Sequence, residues 1–124
     1  MKKLLLICLI LASAGSSFAQ KKKRILIESA DQVITEAVKE LDEEVQGPEG
    51  KIYIFMQEYS ITGKFTFDIT IHEKGYVATV FVVENDGGSI QSQNRLKDFI
   101  KDYRFWFKTP KGKDYKFQYV FNFN

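Results

Sequence analysis

His72 is the only histidine of the 124-residue chain and Cys8 its only cysteine. A Ser-His-Asp relay or a Cys-His pair needs an imidazole set against a nucleophile and an orienting carboxylate. Here the one imidazole ends the alternating stretch KFTFDITIH, on its polar side with Thr66, Asp68 and Thr70, which is the place of a surface histidine. Carboxylates that could share acid–base work crowd into residues 36 to 44, where Glu36, Glu40, Asp42, Glu43 and Glu44 read as the solvated face of one helix, not as a facing pair. Glu84, Asn85, Asp86 and Ser89 gather oxygen groups around Gly87-Gly88. Their spacing is not that of an EF-hand loop, and the two glycines lack the lysine and spacing of a phosphate loop, so the stretch reads as a structural turn. No catalytic residue, metal ligand or cofactor is expected. The chemistry expected of this chain is that of binding.

Cys8 lies in the opening MKKLLLICLILASAGSSFAQ, where Lys2 and Lys3 precede an apolar run from Leu4 to Ala12 and small residues end in Ser17-Phe18-Ala19. This is the pattern of a secretory signal peptide over residues 1–19, cut after Ala19. The run of about nine apolar residues is well short of the roughly 20 that span a bilayer. Bulky Ile7 before Cys8 does not suit a lipid-modification site. Cleavage removes the thiol, so the exported chain is expected to hold no disulfide, thiolate zinc site or cysteine nucleophile, and no membrane span. It is expected in the periplasm or outside the cell.

Losing Lys2 and Lys3 takes the formal charge from +2 to 0, and the KKKR run at 21 to 24 holds four of the remaining cations, which leaves about −4 over 25–124. A nucleic-acid binder would show a basic face across its fold, so no nucleic-acid partner is expected. Residues 20–28 read as a flexible basic start. Residues 29–124 read as a single α+β domain, large enough to bury a core without staples.

Within that domain, Val33, Ala37, Val38, Leu41 and Val45 recur at helical spacing, Ser29 and Gln32 suggest a capping box, and Gly47-Pro48 supplies the stop. KIYIFMQEYSI, 51 to 61, is β-branched and aromatic without a breaker and is expected to be a strand. Residues 64 to 84 are expected to form a hairpin that turns at Glu73-Lys74-Gly75. From about Ser92, Leu96, Phe99, Ile100 and Tyr103 mark a second amphipathic helix ending near Arg104. In the final stretch, YKFQYVFNFN, Tyr115, Phe117, Tyr119, Phe121 and Phe123 share one face, opposite Lys116, Gln118, Val120 and Asn122. Such an ending also suits an outer-membrane barrel, but the smallest of those need about eight strands and this chain offers four. The expected architecture is a small antiparallel sheet with helices against its apolar face, a strand-strand-helix-strand unit preceded by one amphipathic helix and an extra strand.

Read from Gly63, GKFTFDITIHEKGYV, then LKDFIKDYRF, then a Pro110-Lys111-Gly112 loop and a closing YVFNF resemble the C-terminal domain of TonB, the periplasmic energy transducer of Gram-negative bacteria. The resemblance covers residues 63–123, about half the chain, and is carried by the ordered set of segments. The family's Trp-basic-Phe motif is matched by Tyr103-Arg104-Phe105, which keeps an aromatic but not the tryptophan. A full transducer would also have an uncleaved membrane helix and a long proline-rich spacer, whereas only Pro48 and Pro110 occur here. The resemblance implies a non-enzymatic module that binds an outer-membrane or periplasmic protein, with the last strand accepting a short extended segment beside it. The expected partner-binding residues are Lys116, Gln118, Val120 and Asn122, with Trp106 as a partially exposed binding aromatic, and strand exchange into a homodimer is a related outcome. The alternative is a small secreted ligand-binding or inhibitor domain, which calls for an apolar pocket among Phe55, Phe65, Phe67 and Phe99.

Overall fold

The computed structural model describes residues 24–124, so the expected signal peptide and most of the basic run lie outside the described residues. Val33, Ala37 and Leu41, four apart, are all fully buried, and this stripe makes Ala30–Glu44 a helix, α1, with one face on the core. Ser29 stands at its N-cap, but the hydroxyl makes no capping bond, so the capping box does not form. After Glu44 the chain turns through Gly47-Pro48 and comes back so tightly that a Cβ on Gly50 would lie 2.2 Å from the Glu44 carbonyl oxygen.

Lys51–Glu58, expected as the extra strand, is instead a helix, α2. Its periodicity explains the difference. Ile52 is fully buried while Phe55 and Met56, three and four residues on, are half-buried against the core, and Ile54 between them is 52% exposed. Ile54 faces water within this apolar run, and packing overrides the β-propensity of Ile and Tyr.

The sheet has three antiparallel strands, β1 (Lys64–Ile71), β2 (Val77–Asp86) and β3 (Tyr115–Asn122), in the order β2-β1-β3. β2 runs two residues beyond its expected end. Between β2 and β3 lies α3 (Ile90–Lys101), whose start is capped by the Ser89 hydroxyl accepting from the Ser92 N–H at 3.0 Å. The α+β class therefore holds, with three helices and three strands among the described residues.

All helices lie toward one face of the sheet, α1 packing on β3 and α3 on β2. Phe65, Phe67, Ile69 and Ile71 of β1 and Tyr115, Phe117, Tyr119 and Phe121 of β3 point into that layer. Phe67 and Phe121 meet at 5.4 Å, and Phe105 and Phe107, both fully buried, add two more rings. Each ring contributes about 1.5–3 kcal/mol by leaving water.

Residues 24 to 27, where the described chain starts, are held against the segment at 105 to 108. The Ile27 N–H donates to the Lys108 carbonyl at 2.9 Å and the Lys108 N–H to the Ile25 carbonyl at 2.8 Å, while the Ile27 side chain is buried. Arg24 donates to the Phe105 carbonyl at 2.6 Å. Among the described residues no helix is long and apolar enough to cross a membrane.

Candidate functional site

β3 is one edge of the sheet, and its pairing with β1 runs without a shift from Lys64↔Asn122 to Ile71↔Tyr115. In the same frame the Phe123 N–H donates to the Gly63 carbonyl at 2.8 Å. Opposed residues in an antiparallel ladder alternate between exchanging both hydrogen bonds and exchanging none. It follows that Phe117, Tyr119 and Phe121 turn their backbone groups toward β1, and that Lys116, Gln118, Val120 and Asn122 turn theirs away from the sheet. The side chains of those same four are exposed, Val120 among them, on the face opposite the helices.

On that open face Asp68 of β1 sits between Gln118 of β3 and Phe81 of β2. Gln118 donates to Asp68 at 3.2 Å, and Lys116 stands 3.9 Å from the other carboxylate oxygen, a loose surface pair worth little. Phe81 is 60% exposed, an apolar contact on this face that the alternation of the sequence did not single out. The structure thus brings Lys116, Gln118, Val120 and Asn122 together.

Trp106 is not with them. It is half-buried on the helix side, near Glu36, Lys39 and Glu43, with its ring edge-on to Phe107 at 6.4 Å. Its backbone N–H donates to Glu40 Oε1 at 3.1 Å, and the Tyr103 hydroxyl donates to Glu40 Oε2. Glu40 is therefore an acceptor for two donors and not part of a solvated stripe. Burial pushes its carboxyl above the usual range, against the pull of those two hydrogen bonds. Burial, then the same bond, raises the Tyr103 hydroxyl as well. Tyr119 donates to Asp42 at 2.6 Å and Tyr115 to the Glu28 carbonyl at 2.8 Å, so three tyrosine hydroxyls fasten α1 and its lead to the sheet layer. A tyrosine spaced against an acidic helix was the available signal, but pairing across more than 60 residues has no local trace.

His72 stands at the far end of β1, where Nδ1 is 2.8 Å from Asp114 and Nε2 is 3.3 Å from Glu73. The Asp114 bond raises its pKa. Both neighbours and the ring are exposed or half-exposed, and both contacts of the ring are to carboxylates, which makes an ion-pair cluster. In the 85–89 turn the Asn85 side chain accepts from the Gly88 N–H at 2.9 Å and donates to Gln93 at 2.9 Å. Together with the Ser89 cap these bonds use the Asn85 and Ser89 oxygens locally, and no group of three or more candidate metal ligands occurs among the described residues.

Phe65 and Phe67 are wholly buried, 6.3 Å apart, whereas Phe55 and Phe99 stack at 4.3 Å on the rim of an open groove with Tyr59, Arg95, Asp98 and Asp102. The apolar pocket that the ligand-binding reading calls for is solid core at one pair of rings and open surface at the other.

The fold is similar to the solution structure of the TonB C-terminal domain of Helicobacter pylori, at 16% sequence identity, covering 73% of this chain and 80% of that one, with a TM-score of 0.42. A likeness of that size establishes neither a shared function nor a shared partner. No family model matches the sequence, and no curated protein matches it.

Proposed function

We propose that this chain is a non-enzymatic protein-binding module of the cell envelope, which takes an extended segment of an outer-membrane or periplasmic protein as a fourth strand along β3. The observation that carries the reading is the outer edge of that strand. Eight residues pair with β1 in one unbroken register, and the backbone groups of Lys116, Gln118, Val120 and Asn122 face away from it. An added strand would draw affinity from those groups and selectivity from the side chains beside them.

The opposite edge is less suited. Along β2, Val83 and Ala78 have no partner in β1, because the register shifts between Thr66 and Phe67 and again between Thr70 and Ile71. Bulges of that kind twist an edge away from pairing. β3 has no such device, and Lys116 is its one lysine. The signal-like residues 1–19 fit export to the compartment where such a partner would be met.

A photo-crosslinker placed at position 118 tests this in cells. The expected result is capture of an envelope protein, lost when Val120→Pro removes one outward N–H and leaves the bonds to β1 in place. Capture that Val120→Pro leaves unchanged, with the variant still folded, would refute strand addition at this edge.

A further inference from the structure

A second surface lies at the other end of the sheet from the free termini of the β1–β3 ladder's Asn122, where Ile25 and Leu26, the turn at Glu73–Gly75 and the loop over 108–113 meet. Leu26, Lys74, Pro110 and Lys111 line one shallow depression there, together with Glu73 and Thr109. Ile25 and Leu26 are 57% and 53% exposed, although the backbone around them is held by both hydrogen bonds to Lys108. The turn and the loop are held to each other as well, since the Lys74 N–H donates to the Thr109 carbonyl at 3.1 Å and the Gly75 N–H to the Thr109 hydroxyl at 3.1 Å. Leu26 is thus presented to water beside Pro110 by a built scaffold, while Ile25, one residue away in the extended segment, points to the side of buried Ile27.

Around them stand Lys74, Lys108, Lys111 and Lys113, all exposed. Of the nearby carboxylates, Glu73 and Asp114 are turned to His72 at 3.3 and 2.8 Å. Residues 25–124 carry about −4 overall, so cations gathered here run against the balance of the chain.

We propose that this end of the molecule docks on an anionic phospholipid surface, Leu26 entering the headgroup boundary beside Pro110 and the lysines facing the phosphates. Cations alone would serve any polyanion. An exposed aliphatic side chain among them is rewarded by a membrane interface and not by a nucleic-acid backbone. The surface is separate from the β3 edge, so it stands or falls apart from strand addition there.

The test is cosedimentation of the exported protein, as purified from cells, with vesicles of phosphatidylglycerol and phosphatidylcholine against vesicles of phosphatidylcholine alone. Binding is expected to the mixed vesicles and to weaken about fivefold per lysine removed, so about 25-fold for Lys108→Ala with Lys111→Ala. Leu26→Ser is expected to weaken it several-fold, and Lys39→Ala with Lys101→Ala, the same charge change elsewhere, to leave it in place. All these side chains are exposed, Leu26 at 53%, so an unchanged melting temperature checks the fold. Equal binding to both vesicle types, or equal loss in the Lys39 and Lys101 variant, would overturn the proposal. So would silence of Leu26→Ser together with lysine-dependent binding to heparin, which would make the surface a general polyanion site.

Discussion

Replacing Glu40 by alanine would leave the Trp106 N–H and the Tyr103 hydroxyl without the carboxylate to which both donate. A buried donor deprived of its partner costs about 1–3 kcal/mol. Trp106 is half-buried and water can reach part of the cluster, so the two losses together come to roughly 2–4 kcal/mol. In a domain of this size that corresponds to a fall in melting temperature of roughly 10–20 °C. Glu40→Gln keeps an acceptor for Trp106 and is expected to cost under about 1 kcal/mol. The pH dependence supplies a second readout. Because burial holds the Glu40 carboxyl above its ordinary 4.5, the folded chain binds that proton more tightly than the unfolded one. Stability from this group is therefore greatest at low pH, declines as pH rises from about 4.5 through the raised value, and is level above it. Urea denaturation followed by circular dichroism across that range should show the decline in the parent protein and its loss in Glu40→Gln. Glu40→Ala within about 0.5 kcal/mol of the parent, the usual result for a solvated surface carboxylate, would refute the assignment.

His72 should titrate in an NMR series with a midpoint above the ordinary 6.5, and Asp114→Asn should bring it down, since the Asp114 bond is the largest cause of the rise. Its contribution to stability is then full below about 6.5 and lost as pH climbs through the raised value, and a midpoint unmoved by Asp114→Asn would remove that account. Gly75→Ala should destabilise by more than about 2 kcal/mol in thermal melts, because φ there is +78° and the new Cβ would lie 2.3 Å from the Phe107 carbonyl oxygen. Gly112→Ala, at φ +79° with open space around it, should cost only about 1 kcal/mol, and equal losses at the two sites would show that the contact at Gly75 does not matter.

The hairpin, the final strand and the two amphipathic helices were readable because each writes its period into consecutive residues: four apart in Val33, Ala37 and Leu41, two apart from Tyr115 to Phe121. α2 was not, since its eight residues, KIYIFMQE, offer too few turns for a stripe to stand out against β-branched and aromatic content. What makes it a helix is distant, the stack of Phe55 on Phe99 of α3 and the burial of Ile52. Glu40 was hidden for the same reason. Its position on α1 is shared with carboxylates that do face water, and only Tyr103 and Trp106, brought in from beyond α3, single it out. The four β3 residues, by contrast, follow from alternation once the resemblance makes the last strand an edge, and the fold sets them side by side; Trp106 belongs to another surface.

Alternation does not say which residues of an edge strand face outward with their backbone. Side chains and hydrogen-bonding groups both repeat every two residues, but the phase between them is set by the neighbour. With β1 as that neighbour and Phe123 donating to Gly63, the aromatic residues of β3 carry both the core and the ladder, and the polar row carries both the open face and the free backbone. Had the phase been reversed, every outward N–H would belong to a buried aromatic, and removing one would cost the core. As built, the edge can be altered at 116, 118, 120 and 122 with little expense to packing, because all four of those side chains are exposed while those of 115, 117, 119 and 121 are buried. A binding defect from Val120→Pro and a folding defect from a proline at Tyr119 are therefore separable outcomes on adjacent residues of one strand, since the second removes a bond to β1 and a buried ring together.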